Sequence, residues 1–368
     1  MLEVADVFNR YGDEYLRKFG NKMLPSHHRA FADILKCRTD VMGGHIFRCD
    51  KCDHLHYSYH SCRNRSCPKC HKNDTSTWLE QRRQELLDVE YYHVVFTLPQ
   101  ELRPIVRLHQ KVLYAILMKS AAQAVIKLAA DPHYVGGLIG VMCVLHSWGG
   151  NLDYHPHAHC LIPAGGISSD RKQWLPARNK YLVPVKALSK IFRGIFAEMV
   201  SKQLPDIKLP ASIWHKDWVV YCKPAVQGVD KVLNYLGRYV HRVAIANSRI
   251  ISIDDGKVTF RCKDSQSHRT KTMTLKAQEF IRRFLQHVLP AGFHKIRYYS
   301  LWSPANRKHL YEMKQLLNKA DTAQQSETQQ YDQEKKTTPP STQQACPHCK
   351  IGMLIWVAHV SRYGRWPP

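Results

Sequence analysis

Six of the twelve cysteines of this chain lie between residues 37 and 70. Four of them form two Cys-x-x-Cys knuckles, Cys49 with Cys52 and Cys67 with Cys70. Each knuckle can offer two thiolates to one tetrahedral Zn²⁺, and four thiolates leave no open position for water, so such an ion is structural. The spacing therefore predicts one zinc site made by these four residues, in a segment too short to fold on apolar burial alone.

The remaining cysteines leave alternatives open. Cys37 and Cys62 lie in the same segment, where they either join nearby histidines at a second zinc ion or are two buried thiols. Near the C-terminus, Cys346 and Cys349 form one further knuckle, which is half of a zinc site. His359 is the candidate ligand that follows it, and the sequence leaves the role of this knuckle undecided.

The charge balance limits the partners of the chain. Its 54 lysines and arginines against 30 aspartates and glutamates give a net charge of +24 and a pI near 9.6. A surplus this large favours nucleic acid over a membrane surface. The N-terminus is typical of an amphipathic helix, and the longest apolar stretch, 112–130, is interrupted by polar and charged residues. We therefore expect a cytoplasmic protein with reduced cysteines and no membrane partner or small-molecule cofactor.

Helical and strand patterns alternate along the middle of the chain. They predict helices over 77–90, 102–132, 183–203, 229–244 and 277–290, and strands over 91–99 and 216–224. Two hairpins are predicted, one within 137–166 and one around the Asp-Asp-Gly-Lys turn at 254–257. This mixture favours an α+β fold with a mainly antiparallel central sheet flanked by helices over a doubly wound fold.

The first predicted hairpin carries a cluster of histidines. His157 and His159 are two residues apart, so on a strand both side chains project from the same face and can bind one metal ion. His155 has the same parity, but Pro156 more readily marks the start of the strand, which makes His155 a weaker candidate. Histidines at this spacing are often no more than surface or polar-core residues, so the metal site is a hypothesis.

A metal site of this kind needs a third ligand. A symmetrical turn centred on residues 151–152 places His146 opposite His157 and on the same face. A slip of one residue in that register would turn His146 away, and Asp153 is the alternative ligand. The sequence favours His146 as the third ligand.

The helix predicted at 229–244 has a tyrosine pair one turn apart. Tyr235 and Tyr239 lie with Arg238 and Arg242 away from the apolar stripe of that helix or at its boundary. Tyrosines at this spacing usually pack together, but a basic face is what phosphate binding requires. A tyrosine hydroxyl can attack a phosphate to form a covalent link to DNA, and the two arginines and a metal would favour its phenolate. The pattern predicts two nucleophiles with Arg238 and Arg242 as phosphate contacts.

Three segments carry a resemblance to a known family. They are, in chain order, CRTDVMGGHIFRCDKC with SCRNRSCPKC, LHSWGGNLDYHPHAHCLIPAGG and YLGRYVHRVAIANSRI. The resemblance covers roughly residues 10 to 310. In order and spacing they resemble the rolling-circle transposases of the insertion sequence 91 family. The family's two HUH histidines map onto His157 and His159, and its tyrosine pair onto Tyr235 and Tyr239.

The resemblance implies a domain plan and an activity. It implies an N-terminal helix and zinc-binding domain over 1–85 and an HUH-endonuclease domain over 88–312. The Gln- and Thr-rich composition that follows predicts a polar linker at 313–345 before a tail at 346–368. The implied activity is nicking and rejoining of single-stranded DNA, at element ends and target, through covalent 5′-phosphotyrosine intermediates, with Mg²⁺ or Mn²⁺ at the histidines. Five aromatic residues are candidates for stacking on the bases of single-stranded DNA, with a place in the core as the alternative. They are Trp148, Trp174, Tyr298, Tyr299 and Trp302.

Two other functions remain open at this point. A rolling-circle replication initiator or relaxase uses the same nicking chemistry in another biological setting. A non-catalytic, zinc-dependent DNA-binding protein explains the charge and the cysteines but gives no role to the histidine and tyrosine faces. Metal-dependent nicking of single-stranded DNA separates the enzyme from the binding protein.

Overall fold

The structure is a computed structural model of the 368-residue chain. It describes residues 2–362, apart from 71–78, 80–81, 84, 179–181, 225–230, 233–236, 238–242, 264–268, 307–308, 310–311, 316 and 318–343.

Six helices have both ends within the described residues. They are α1 (Val4–Phe19), α2 (Pro25–Lys36), α3 (Arg103–Leu108), α4 (Gln110–Ala129), α5 (Val185–Gln203) and α6 (Ala277–Leu285). The predicted helix 102–132 is divided into α3 and α4, because His109 leaves helical geometry with φ −120° and ψ 40°.

Thirteen strands are described, and every pairing between them is antiparallel. They are β1 (Gly44–Cys49), β2 (Leu55–Tyr59), β3 (Tyr91–Thr97), β4 (Gly140–Trp148), β5 (Tyr154–Pro163), β6 (Gly165–Ile167), β7 (Trp174–Pro176), β8 (Val220–Pro224), β9 (Ile250–Asp254), β10 (Lys257–Lys263), β11 (Thr270–Lys276), β12 (Ile296–Ser300) and β13 (Leu354–Val360). The predicted α+β fold with a mainly antiparallel sheet is confirmed.

The central sheet has five strands in the order β12-β4-β5-β3-β8. Strand β5 occupies its middle, and its side chains alternate between half-buried and buried from Tyr154 to Cys160. Ala158 and Cys160 belong to the face that packs against α4 and α5, in the largest apolar core. The histidines of β5 therefore lie on the opposite face, because successive side chains of a strand alternate between faces.

Helix α4 is a largely buried element of this core. By length and composition it could cross a membrane, but most of it is buried inside the protein, packed against the sheet and α5. This arrangement is typical of a core helix, so α4 gives no indication of a membrane protein.

A second core joins the N-terminal helices to the later part of the chain. Phe8 of α1 stacks on Phe31 of α2 with ring centroids 4.7 Å apart, and it meets Phe284 of α6 edge-on at 5.4 Å. The three-stranded sheet β9-β10-β11 contributes Phe260, and Cys67 is buried in the same core. The N-terminal helices thus pack directly on the remainder of the protein.

The C-terminal segment pairs with a strand of the N-terminal cysteine-rich segment. Residues 346–368 were predicted as a tail with a lone knuckle, but β13 pairs with β1 from Gly44–Val360 to Cys49–Leu354, and β1 also pairs with β2. Most of the predicted linker 313–345 lies outside the described residues, although Met313 at its start is buried.

Candidate active site and cysteine clusters

Three histidines converge on the central sheet. His157 and His159 lie on β5, and His146 lies on β4 directly opposite His157, which confirms the predicted register. One nitrogen from each ring lies within 4.8 Å of the corresponding nitrogens of the other two. We call these three residues the histidine cluster, and the side of the sheet that carries them the histidine face.

Hydrogen bonds determine which ring nitrogens point into the cluster. His159 Nδ1 is 2.9 Å from His93 Nε2 on β3, and His157 Nδ1 donates to the carbonyl oxygen of His155 at 2.6 Å. The nitrogen of His157 and of His159 that can bind a metal is therefore Nε2. Partners on the other ring nitrogen are the usual means by which proteins orient metal-binding histidines.

Burial favours the neutral form of His159 and of its partner His93 by lowering their pKa values. It lowers the pKa of His159 well below the usual value, and the neighbouring His146 and His157 lower it further. Burial also lowers the pKa of His93 to about 4. A neutral imidazole is the form that binds a metal, so no proton has to leave these two rings near neutral pH.

Two other candidate ligands have hydrogen-bond partners outside the cluster. Asp153 accepts a hydrogen bond from Arg283 at 2.7 Å and lies outside the cluster. Arg103 donates to His155 Nδ1 at 2.8 Å, and His155 is also outside the group of converging nitrogens. The structure thus selects His146 from the candidates for the third position.

A cavity of about 310 Å³ lies beside the histidine cluster. Its wall includes Trp148, whose ring stacks on His146 with centroids 4.7 Å apart. Lys295 Nζ lies 5.0 Å from the centroid of the Trp148 ring. Arg65, from the cysteine-rich segment, and Ala244, from the end of the predicted tyrosine helix, complete this part of the lining. Three separate regions of the chain therefore meet next to the histidines.

Other aromatic residues considered for base stacking belong to the protein interior. Trp302 is buried and stacks on Tyr91 with centroids 6.0 Å apart. Tyr299 packs against the core of the central sheet, and burial raises the pKa of its hydroxyl. Trp148 is the candidate that borders an open cavity.

The predicted nucleophiles lie outside the described residues, and so do the predicted phosphate contacts. These are Tyr235, Tyr239, Arg238 and Arg242. Val232, three residues before Tyr235, is described and fully buried. It packs in one apolar cluster with Val144 and Leu161, whose side chains lie on the histidine face. The start of the predicted tyrosine helix is therefore on the same side of the sheet as the histidine cluster.

The cysteines group differently from the prediction. Cys67 and Cys70 do not share a site with Cys49 and Cys52, and the predicted single site of these four residues is wrong. The reason is the path of the chain: β1 and β2 carry the Cys49 knuckle to the edge joined by β13, whereas the Cys67 knuckle packs against α1 and α2. Two groups of four cysteines result.

The first cysteine group consists of Cys37, Cys62, Cys67 and Cys70. Cys70 Sγ lies 3.5 Å from both Cys37 Sγ and Cys62 Sγ, which is too far for a disulfide and suitable for ligands of one ion. The amide of Cys62 donates to Cys37 Sγ at 3.5 Å. Cys37 and Cys62, predicted for a second zinc, are thus partners of Cys67 and Cys70.

The second cysteine group consists of Cys49 and Cys52 together with Cys346 and Cys349 of the C-terminal segment. The sequence offered no regular spacing by which to connect two knuckles this far apart. The signal that existed was the equal Cys-x-x-Cys spacing of the two halves.

Comparison with known proteins identifies the chain's relatives. A family model described as "Transposase zinc-binding domain" matches residues 7–98, and one described as "Putative transposase" matches residues 140–309. "Putative transposase y4qJ" of Sinorhizobium fredii (strain NBRC 101917 / NGR234) is 41% identical over 379 residues, covering 96% of this chain and 94% of its own. "Transposase for insertion sequence element IS801" of Pseudomonas savastanoi pv. phaseolicola is 27% identical over 282 residues, covering 72% and 68%. No solved structure matches.

These similarities and the cysteine groups define a transposase with an N-terminal zinc-binding domain. The chain belongs to the insertion sequence 91 family of transposases, as its motifs predicted. It is a DNA-processing enzyme, and zinc is the metal that its N-terminal cysteines suit.

Proposed function

We propose that this transposase nicks and rejoins single-stranded DNA through covalent 5′-phosphotyrosine intermediates during rolling-circle transposition. The observation that carries the proposal is the histidine cluster, in which the ligand nitrogens of His146, His157 and His159 lie within 4.8 Å of one another. Oriented imidazoles whose nitrogens converge in this way could hold a divalent metal ion.

The residues present fit a divalent ion such as Mg²⁺ or Mn²⁺. Three imidazoles occupy part of a coordination sphere and leave positions for oxygen atoms of the substrate. When bound, the ion would supply Lewis-acid polarisation of the scissile phosphate. The protein's own part is to orient His159 through His93 and His157 through the His155 carbonyl, and to lower the pKa of His159 through burial.

Tyr235 and Tyr239 are the proposed nucleophiles. Attack of a tyrosine hydroxyl oxygen on the scissile phosphorus forms the phosphotyrosine bond and releases the 3′-hydroxyl of the preceding nucleotide. The tyrosine proton leaves, the 3′ oxygen gains one, and the phosphodiester energy is kept for rejoining. Val232, buried on the histidine face, supports a position of this helix near the cluster. Two tyrosines suit an enzyme that must hold two DNA ends.

Single-stranded DNA is the proposed substrate. The net charge of +24 favours a polyanion, and Arg238 and Arg242 are the proposed phosphate contacts beside the tyrosines. Trp148 borders the cavity next to the histidines and carries Lys295 over its ring. An aromatic ring paired with a cation suits an unpaired base and its phosphate.

A transposase is favoured over a replication initiator by the relatives. Both curated relatives are named as transposases, and a transposase zinc-binding model matches residues 7–98. The other alternative, a non-catalytic, zinc-dependent DNA-binding protein, would give no role to the convergent nitrogens of the three histidines.

The test is a covalent-trapping assay on single-stranded oligonucleotides that carry the ends of the element, taken from the DNA that flanks the gene. With Mg²⁺ or Mn²⁺, the wild type is expected to nick and to form a protein–DNA adduct, and chelation should remove both. Tyr235→Phe and Tyr239→Phe should each keep the fold, because only the hydroxyl is lost, and each retains some adduct. The double variant should form none.

Mass spectrometry of the trapped adduct identifies the attacking residue. DNA attached to any residue other than Tyr235 or Tyr239 contradicts the assignment of the nucleophiles. Complete transposition is expected to fail in both single variants, since each tyrosine has its own strand to hold. Tyr57→Phe is a suitable control, because Tyr57 is an exposed tyrosine on β2, in a different sheet from the histidine cluster.

A further inference from the structure

The second cysteine group has the dimensions of a metal site. Cys49 Sγ lies 3.6 Å from Cys349 Sγ, and Cys52 Sγ lies 3.8 Å from Cys346 Sγ. All four sulfur atoms lie within 4.8 Å of one another. With Zn–S bonds of about 2.3 Å, the sulfurs of a tetrahedral site are about 3.8 Å apart, whereas a disulfide needs about 2.05 Å.

Each half of this group has a backbone amide directed at one of its sulfur atoms. The amide of Lys51 donates to Cys49 Sγ at 3.4 Å, and the amide of Gly352 donates to Cys349 Sγ at 3.3 Å. Hydrogen bonds from backbone amides stabilise thiolates, because they favour the charged form of the sulfur. Each Cys-x-x-Cys turn thus carries an amide directed at one of its sulfurs.

Contacts around the group hold the C-terminal segment in one position. The amide of Asp50 donates to the carbonyl oxygen of Met353 at 3.1 Å, and the amide of Met353 donates to Asp50 Oδ1 at 2.7 Å. A Cβ atom at Gly352 would lie 2.4 Å from Cys49 Sγ, so only glycine allows this approach. Strand β13 then continues the contact along the whole of β1.

We propose that Cys49, Cys52, Cys346 and Cys349 bind a second structural zinc ion that fixes the C-terminal segment to the N-terminal zinc-binding domain. That domain is therefore built from both ends of the chain. The matched zinc-binding family model ends at residue 98 and does not include the two C-terminal ligands. Four thiolates suit Zn²⁺ and close its coordination sphere, so this ion supports the fold and takes no part in catalysis.

The energetic reason for such a site is the small size of the sheet it completes. Strands β1, β2 and β13 form a sheet of three strands with many exposed apolar side chains, including Leu55, Ile355 and Trp356. Small sheets with little buried apolar area are marginal without a further constraint. A zinc ion shared between β1 and the segment before β13 supplies that constraint, since its binding free energy becomes folding free energy.

The test is the zinc content of the purified full-length chain, measured by mass spectrometry of its metals. The wild type is expected to hold two zinc ions per chain, and Cys349→Ser is expected to hold one. Cys222→Ser removes a half-buried thiol of β8 that belongs to neither cysteine group, and it should still hold two. Hydrogen exchange of the amides of β13 should become faster in Cys349→Ser and stay unchanged in the control.

A milder variant keeps all ligands and avoids the risk of unfolding. Gly352→Ala places a methyl group against Cys49 Sγ and should lower the affinity for one of the two zinc ions at least tenfold in a chelator competition. When Co²⁺ replaces zinc in the full-length wild type, the intensity of the thiolate-to-cobalt charge-transfer absorption should correspond to eight cobalt–sulfur bonds per chain. One zinc ion per chain in the wild type, or two retained in Cys349→Ser, would overturn the proposal.

Discussion

At the scale of single residues, two hydrogen bonds orient two imidazole rings of the histidine cluster. His93 faces His159 Nδ1 at 2.9 Å, and the carbonyl of His155 accepts from His157 Nδ1 at 2.6 Å. The carbonyl of His155 fixes the tautomer of His157 with its proton on Nδ1, and both contacts hold the rings so that Nε2 is directed into the cluster. His93 has no counterpart in the sequence motif, and its role follows from the pairing of β3 with β5.

His157→Ala and His159→Ala are expected to abolish nicking while DNA binding persists. Each substitution removes one nitrogen from the cluster and leaves the basic surface of the protein unchanged. Nicking of an end oligonucleotide and its binding are measured side by side on folded variants. Loss of both activities together in a folded variant would mean that these histidines are structural.

His93→Ala is expected to weaken the metal dependence of nicking without abolishing it. Removal of a partner that orients a metal-binding histidine typically costs about 10–100-fold in metal affinity or activity. The measurement is the Mn²⁺ concentration that gives half-maximal nicking. His133→Ala, an exposed histidine paired with Asp131, is the matched control and should not change it. An unchanged Mn²⁺ requirement in His93→Ala would show that His93 does not position His159.

At the scale of elements, the first cysteine group belongs to a larger core. Cys37, Cys67 and Cys70 are buried together with apolar residues of α1, α2 and α6. Arg65, between the two cysteine pairs, donates to the carbonyl oxygens of Leu289 at 3.2 Å and of Phe293. Arg65 therefore connects the loop of the first cysteine group to the loop before β12, and it also lines the cavity beside Trp148.

Cys70→Ser is expected to unfold the N-terminal part of the chain. The loss of one thiolate opens the zinc site, and the binding free energy that supported the fold is lost with the ion. Helix content by circular dichroism should fall and hydrogen exchange in α1 and α2 should become faster. Retention of zinc and of slow exchange in α1 would contradict a structural role for this group.

At the scale of the whole molecule, charge dominates the encounter with DNA. A net charge of +24 attracts phosphates along the surface, whereas the histidine cluster is a local site. Binding and chemistry should therefore respond to different variables: binding to salt, and nicking to the divalent metal and the tyrosine hydroxyls.

DNA affinity is expected to fall steeply as salt is added. On single-stranded DNA, a protein that contacts about 6–10 phosphates loses about 10²–10⁴ in affinity between 50 and 200 mM salt. Fluorescence anisotropy of a labelled single-stranded oligonucleotide measures the slope. His157→Ala should give the wild-type slope, since it removes no phosphate contact. A flat response to salt would exclude phosphate contacts as the main source of affinity.

Much of this protein follows from local sequence. Alternating residues place His157 and His159 on one face of a strand, and the hairpin sets His146 opposite His157 through a shift in register between His146 and Trp148. The turn at 254–257 is formed as predicted, because Asp255 and Gly256 both adopt positive φ. These features depend on residues close together in the chain, and periodicity and turn chemistry are sufficient to predict them.

Only the tertiary structure decided the partners that are distant in sequence. The knuckles of Cys49 and Cys67 each have the spacing for zinc, but spacing does not tell which half-sites combine. The pairing of β1 with β13 brought Cys346 and Cys349 to Cys49, and the pairing of β3 with β5 brought His93 to His159. The physical reason is that local sequence determines which groups a segment offers, whereas strand pairing and core packing determine which other segment they meet.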